Sequence, residues 1–188
     1  ANKPFSDQSE IFRGVRTHLC SSVYHNRDKR VALAVTSTEP GDGKTFFAAN
    51  LAVALSQLGG RTLLIDADMR SPRLHEVFGV ENRTGLSGVL SRRAGTNVFR
   101  KVNGLPSLYV LPVGIIPPNP LELLQGQTFD LLLKVVTSKF DYVVVDTPSA
   151  SKGVDARVIA ASCGAALAIA RKNKIRTESL RDLLRQLS

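Results

Sequence analysis

The 188-residue chain has no tryptophan and a single methionine, and aromatic residues make up only 6% of it. With so few rings, and none interleaved with basic residues, it lacks the stacking platforms that hold single-stranded nucleic acid. There are two cysteines, Cys20 and Cys163, far apart and without metal-ligand spacing. This excludes a disulfide framework or a thiolate zinc site, and both are expected to be reduced thiols in a cytosolic protein. No apolar run approaches the roughly 20 residues of a membrane span. No signal peptide is read at the start, so work at a membrane would go through recruitment or a segment upstream of this chain. Internal repeats and low-complexity segments are also missing. His18, His25 and His75 have no candidate catalytic neighbours in sequence.

Acidic residues are the scarcer charge, 16 against 25 lysines and arginines, for a formal charge of +9. The positive residues are scattered, with only short clusters such as Arg92-Arg93 and Arg171-Lys172-Asn173-Lys174. A solvated basic surface, or one facing an acidic partner, fits this better than a nucleic-acid groove, and no nucleic-acid partner is expected. A 43% hydrophobic fraction with 22% charged residues describes an ordinary globular chain. Its length fits one domain spanning 1–188, with an N-terminal helix and linker at 1–30 and a core at 31–188.

The core is organised around Glu39-Pro40-Gly41-Asp42-Gly43-Lys44-Thr45. A β-branched apolar run, Val31 to Ser37, precedes this loop, and a helical pattern with Phe47, Leu51, Leu55 and Leu58 on one face follows it. Strand, glycine loop, Lys-Thr and helix together make a phosphate cradle. Loop amides and the positive end of the helix face the phosphates, Lys44 reaches the outer ones, and the Thr45 hydroxyl binds Mg²⁺. Gly41, Asp42, Gly43, Lys44, Thr45 and Phe46 are therefore the candidate nucleotide-binding residues. The first glycine of the usual pattern is replaced by Thr38.

Two further strands end in acid. Thr62-Leu-Leu-Ile65 runs into Asp66-Ala67-Asp68-Met69-Arg70, and Tyr142-Val-Val-Val145 runs into Asp146-Thr147-Pro148. Carboxylates at the carboxyl ends of parallel strands stand where α/β sheets bind ligands, and near a phosphate loop they serve metal or base work. Strand-end aspartates that merely cap the next helix are the alternative. Residues 4–24 read as a helix, capped by Ser6 or Ser9, with Ile11, Val15 and Leu19 as its apolar stripe and Glu10, Arg13 and Arg16 along a neighbouring one. Short helices are expected at 85–90 and from Pro120, a strand at 107–112, and helices at 128–139, 153–162 and from Thr177, with a strand at 164–170. Alternating strands and helices give an α/β fold, a doubly wound, mostly parallel sheet with helices on both faces.

These motifs in this order resemble the deviant-Walker branch of the P-loop NTPases, and most closely the bacterial protein-tyrosine kinases of polysaccharide synthesis and export, the BY-kinases. The stretch from Thr36 to Thr45 is similar to their phosphate loop, Asp66-Ala-Asp68-Met-Arg70 to their D-x-D-x-R element, and Asp146-Thr-Pro148-Ser149 to their D-x-P-P with the second proline lost. Glu10, Arg13 and Arg16 match an E-x-x-R-x-x-R element associated with ring contacts between subunits. The resemblance covers about residues 4 to 175. It implies ATP or ADP with Mg²⁺ as cofactors, and autokinase activity regulating polysaccharide chain length and export. Lys44 and Asp66 would be catalytic, with Thr45, Asp68 and Asp146 at the metal. It also implies a homo-oligomeric ring, a transmembrane chain-length regulator as partner, and a place at the inner face of the plasma membrane through that partner or a missing transmembrane segment. The family's last strand and tyrosine-rich tail are not found here. The competing expectation is a regulatory ATPase of the partition or division-site type, whose loop reads K-G-G-x-G-K-T; Glu39 stands where that first lysine would be.

Overall fold

A computed structural model describes residues 7–26, 30–95 and 97–187. Ser6, the start of the first helix and residues 27–29 of the linker lie outside them. The elements run α1 (Asp7–Ser22), β1 (Ala32–Ser37), α2 (Lys44–Ser56), β2 (Thr62–Asp66), α3 (Leu74–Phe78), α4 (Leu86–Leu90), β3 (Arg100–Val102), β4 (Leu105–Leu111), α5 (Pro120–Gln125), α6 (Gln127–Lys139), β5 (Tyr142–Asp146), a 3-10 turn (Ala150–Lys152), α7 (Asp155–Cys163), β6 (Gly164–Ile169) and α8 (Thr177–Leu187). Six strands form one sheet in the order β3-β4-β2-β5-β1-β6. All pairs are parallel except β3 with β4.

Strand alternation divides the core into two layers. Leu33, Val35, Leu64 and Val144 face α1, α2 and α3, while Ala32, Ala34, Leu63, Ile65, Val143 and Val145 face α4 to α7. Strands buried on both faces read as continuous apolar runs, as a parallel sheet requires. The topology makes the site. Because β5 lies between β1 and β2, its last residue is level with the ends of both: Asp146 pairs in register with Val35 on one side and Asp66 on the other.

Two expectations change. The α1 stripe turns on Phe12, which is buried against Phe47 at a ring separation of 5.1 Å, while Ile11 is 61% exposed. Burying the larger aromatic surface sets the helix rotation. The β3–β4 hairpin was not expected. Its signal, Asn103-Gly104 with Gly104 at φ 76°, is a two-residue turn between short strands. Elsewhere a close approach dictates sequence. A Cβ on Gly85 would collide with the Pro112 carbonyl oxygen and stand 2.6 Å from the Gly114 nitrogen, where Leu86 N–H donates to Pro112 O.

Candidate active site

The loop after β1 is shaped by its own side chains. Gly41 and Gly43 adopt φ of 83° and 92°, conformations that glycine alone reaches without cost. Asp42 turns inward, its Oδ2 accepting from Glu39 N–H at 3.0 Å and Thr38 Oγ1 at 3.2 Å. Its carboxylate therefore braces the loop through Oδ2, while Oδ1 is buried without a hydrogen-bond partner. Thr38, at the missing glycine position, supplies half of that brace. Gly43 caps α2, so the helix begins at Lys44 and directs its unpaired N–H groups toward the loop.

Lys44, Thr45, Asp68 and Asp146 come together as the sequence predicts. Lys44 Nζ lies 3.4 Å from Asp68 Oδ2 and 3.9 Å from Asp146 Oδ1, and Thr45 Oγ1 donates to Asp146 Oδ2 at 2.7 Å. Lys44, Thr45 and Asp68 line a cleft of about 540 Å³ with Gly41, Gly43 and Phe46. Phe46 is 60% exposed there, edge-on to Phe12.

Asp66 is used differently. It is fully buried, and its Oδ2 accepts from Arg73 N–H at 3.1 Å and Leu74 N–H at 3.0 Å, its Oδ1 from Asp68 N–H at 3.2 Å. It caps the start of α3 and shapes the D-x-D-x-R loop, the capping role that the sequence left open as an alternative. The loop is also held from outside. Arg70 makes a two-pronged pair to Asp155 of α7, at 3.0 and 3.2 Å. Asp155 escaped the sequence reading because only the fold brings it to Arg70.

The donor set fits a hard cation. Asp146 Oδ1 is buried without a hydrogen-bond partner, next to the Thr45 hydroxyl. A buried carboxylate oxygen left unmet is costly, and Mg²⁺ would satisfy it. Among the described residues no cluster of three or more His, Cys, Asp or Glu forms a complete cage. Mg²⁺ ordinarily completes its shell with water and phosphate oxygens, so a partial set is what it needs.

Burial, and secondarily the Asp146 charge, push Asp66 from 3.8 up to about 7, against the pull of the Leu74 and Arg73 amides. Burial likewise raises Asp146 to about 6, although Lys44 and Thr45 pull it down. Between pH ~4 and ~7 the folded chain therefore holds protons that the unfolded chain has released, and stability falls as pH rises through that window. In chelator without nucleotide, the unfolding free energy should be larger at pH 5.5 than at 7.5 by on the order of 1–3 kcal/mol, read from urea melts. A flat profile, or one rising with pH, would contradict this.

Glu10, Arg13 and Arg16 do not form one outward stripe. Arg13 pairs with Glu10 at 2.8 Å on the exposed face, whereas Arg16 donates to Ala54 O near the end of α2 at 2.9 Å, tying the helices together. The two cysteines are free thiols, with Cys163 buried and its thiol held protonated by that burial.

The sequence matches the CobQ/CobB/MinD/ParA nucleotide-binding domain over residues 33–185. It is 34% identical over 168 residues to the tyrosine-protein kinase CpsD of Streptococcus agalactiae, covering 89% of this chain and 72% of that one. Its structure superposes on the kinase domain of Escherichia coli tyrosine kinase ETK with a TM-score of 0.93 and 32% identity, over 99% of this chain and 72% of that chain. The septum site-determining protein MinD of Pyrococcus horikoshii, complexed with Mg-ADP, gives a TM-score of 0.62 and 25% identity, over 74% of this chain and 57% of that chain. The kinase likeness is thus wider and closer than the division-site one.

Proposed function

The chain belongs to the CobQ/CobB/MinD/ParA nucleotide-binding family and, within it, to the bacterial tyrosine-protein kinases, and from that membership we propose that its cleft transfers the γ-phosphoryl group of ATP to tyrosine hydroxyls, in capsular or exopolysaccharide synthesis and export. The observation that carries this is the meeting of Lys44, Thr45, Asp68 and Asp146 beside a glycine loop at the ends of adjacent strands. Glu39 supports the kinase over the division-site ATPase, because an exposed carboxylate cannot pair with phosphates as a lysine there would.

Phosphoryl transfer has a loose transition state, so catalysis rests on positioning and neutralisation of charge. The tyrosine oxygen bonds to the γ-phosphorus as the bridge to the β-phosphate breaks, and ADP leaves. Loop amides and the α2 N-terminus hold the α- and β-phosphates. Lys44 exchanges its contacts to Asp68 and Asp146 for phosphate oxygens. Thr45, Asp68 and Asp146 would hold Mg²⁺, directly or through water, and when bound it would neutralise charge on the phosphates. Asp66 accepts the phenolic proton late. It does not line the cleft, so the transfer would need a relay. Burial raises its pKa to about 7, closer to a phenol of about 10 than an ordinary aspartate.

The test is transfer of labelled γ-phosphate to tyrosine in an acceptor peptide with Mg²⁺. Release of the label solely as inorganic phosphate would favour the regulatory ATPase.

Assembly and place are proposals of the same standing. Among the described residues no helix is long and apolar enough to cross a membrane, so attachment at the inner membrane face would go through a transmembrane chain-length regulator or a further segment. In a homo-oligomeric ring Glu10 and Arg13 make the contact between subunits, and Arg16 holds α1 in place for it. Replacing Glu10 and Arg13 by alanine should leave a folded protein, because an exposed pair contributes about 0.3–0.5 kcal/mol, but dissociate the oligomer in light scattering. The same oligomer in both proteins would remove this interface.

A further inference from the structure

The segment after Asp146 carries two side chains, Ser149 and Lys152, that belong to neither the phosphate loop nor the carboxylate set. Thr147 is locked to β1, its N–H and hydroxyl both donating to Val35 O at 3.1 and 3.0 Å. Four residues on, Ser151 N–H donates to Thr38 O at 3.0 Å, which fastens the 3-10 turn to the first residue of the phosphate loop. Ser149 and Lys152 are thereby held against the same cleft that Lys44, Thr45 and Asp68 line.

Ser149 is 1% exposed, and its hydroxyl is buried without a hydrogen-bond partner. Lost hydrogen bonds at buried hydroxyls are costly, so an unmet one on a cleft wall points to a ligand oxygen. A proline here, as in the D-x-P-P pattern, would offer no donor; this chain has one.

Lys152 lies on the other side of a short chain of contacts from Lys44. Its Nζ donates to Ser71 Oγ at 3.0 Å, Ser71 N–H donates to Asp68 Oδ1 at 3.0 Å, and Asp68 Oδ2 stands 3.4 Å from Lys44 Nζ. Two ammonium groups thus bracket one Asp68–Ser71 bridge. The bond to Ser71 uses one of the three donors of an ammonium group. A plain surface link between two loops would explain Lys152 by itself, but it leaves the Ser149 hydroxyl unexplained.

We propose that Lys152, with Ser149 beside it, contacts the γ-phosphate and makes the cleft prefer a nucleoside triphosphate over a diphosphate. The inference rests on the ATP reading and deepens it. A diphosphate is already met by the loop amides, the α2 N-terminus and Lys44. The third phosphate extends beyond the loop toward the carboxyl ends of β2 and β5, where Lys152 and Arg73 are the further cations lining the cleft. Lys152 is the one linked through Ser71 to Asp68. Its contact couples the charge of the γ-phosphate to Ser71, and so to the loop that positions Asp68.

The test is calorimetry with Mg²⁺ and either ADP or a non-hydrolysable ATP analogue. Lys152→Ala should weaken the analogue about tenfold and ADP less than about twofold, the size of one charge-assisted hydrogen bond in a half-open site. Ser149→Ala should give a smaller loss confined to the analogue, and Lys152→Arg should retain most of the preference. Lys152 is exposed, so the fold is not at risk, and thermal melts of each variant check this. Equal losses for both nucleotides, or none for either, overturn the inference. Lys44→Ala, measured alongside, separates the two failures. If it weakens both nucleotides while Lys152→Ala spares both, only the γ-phosphate contact is wrong. If Lys44→Ala changes neither, the phosphates do not lie in this cleft and both readings fall.

Discussion

Replacing Lys44 by alanine should abolish measurable phosphotyrosine formation, lowering turnover by about 10²–10³-fold or more, and should weaken binding of both ATP and ADP. Lys44 is the cation placed closest to the loop, and its present partners, Asp68 and Asp146, show the side chain extended into the cleft. Removing it deletes the charge that meets the outer phosphates. It also leaves the carboxylates of Asp68 and Asp146 without their cation. Lys44 lowers the Asp146 pKa, so in the metal-free variant that pKa should rise further. Stability should be lost where Asp146 is ionised in the parent, with little change at lower pH. Calorimetry and circular dichroism together separate lost binding from lost fold. Unchanged affinity in a folded variant would remove the phosphates from this loop.

The second large effect belongs to Asp66. Asp66→Asn should lower phosphotyrosine yield by about 10²–10⁴-fold, the range for loss of a proton acceptor, while Mg·ADP affinity stays within about threefold. The substitution has a structural cost too. Three backbone N–H groups converge on this carboxylate, and an asparagine amide nitrogen cannot accept the one it faces. A loss of about 1–3 kcal/mol is expected from that mismatch, offset in part because a buried charge disappears. Asp68→Asn should instead raise the Mg²⁺ concentration needed for activity. If Asp66→Asn shifts the metal requirement alone and phosphorylates normally at saturating Mg²⁺, the two aspartates exchange roles. If it abolishes nucleotide binding together with activity, Asp66 is a capping residue and another group takes the proton.

What could be read from the sequence was what is local. The apolar runs at β1, β2 and β5 announce buried parallel strands, and the glycines, Lys44 and Thr45 declare a phosphate loop within a dozen residues. Aspartates closing two of those runs mark the same end of the sheet. Their meeting, however, depends on β5 entering between β1 and β2, a long-range pairing that no local pattern encodes. For the same reason Asp155 and Lys152 passed unremarked, and Ser149 stood out only as a lost proline; each gains meaning from a loop far away in sequence. Arg16 reads from the sequence as a subunit-contact residue beside Glu10 and Arg13, because nothing near it in sequence shows that α2 presents the Ala54 carbonyl to it. Asp42 reads from the sequence as a nucleotide-binding residue, and nothing local shows that its carboxylate also holds Thr38 and Glu39. The β3 hairpin was missed for a different reason. Its strand is three residues long, too short for periodicity, and the Asn103-Gly104 turn was the sole signal.

The most direct measurement is a crystal of the chain grown with a non-hydrolysable ATP analogue and Mn²⁺ in place of Mg²⁺, read by anomalous scattering. The account predicts one metal peak in the cleft, beside Thr45 and the carboxylates of Asp68 and Asp146, with the nucleotide phosphates along residues 41–45. A metal bound at Asp66 without Thr45, or phosphates lying away from Lys44, would contradict it.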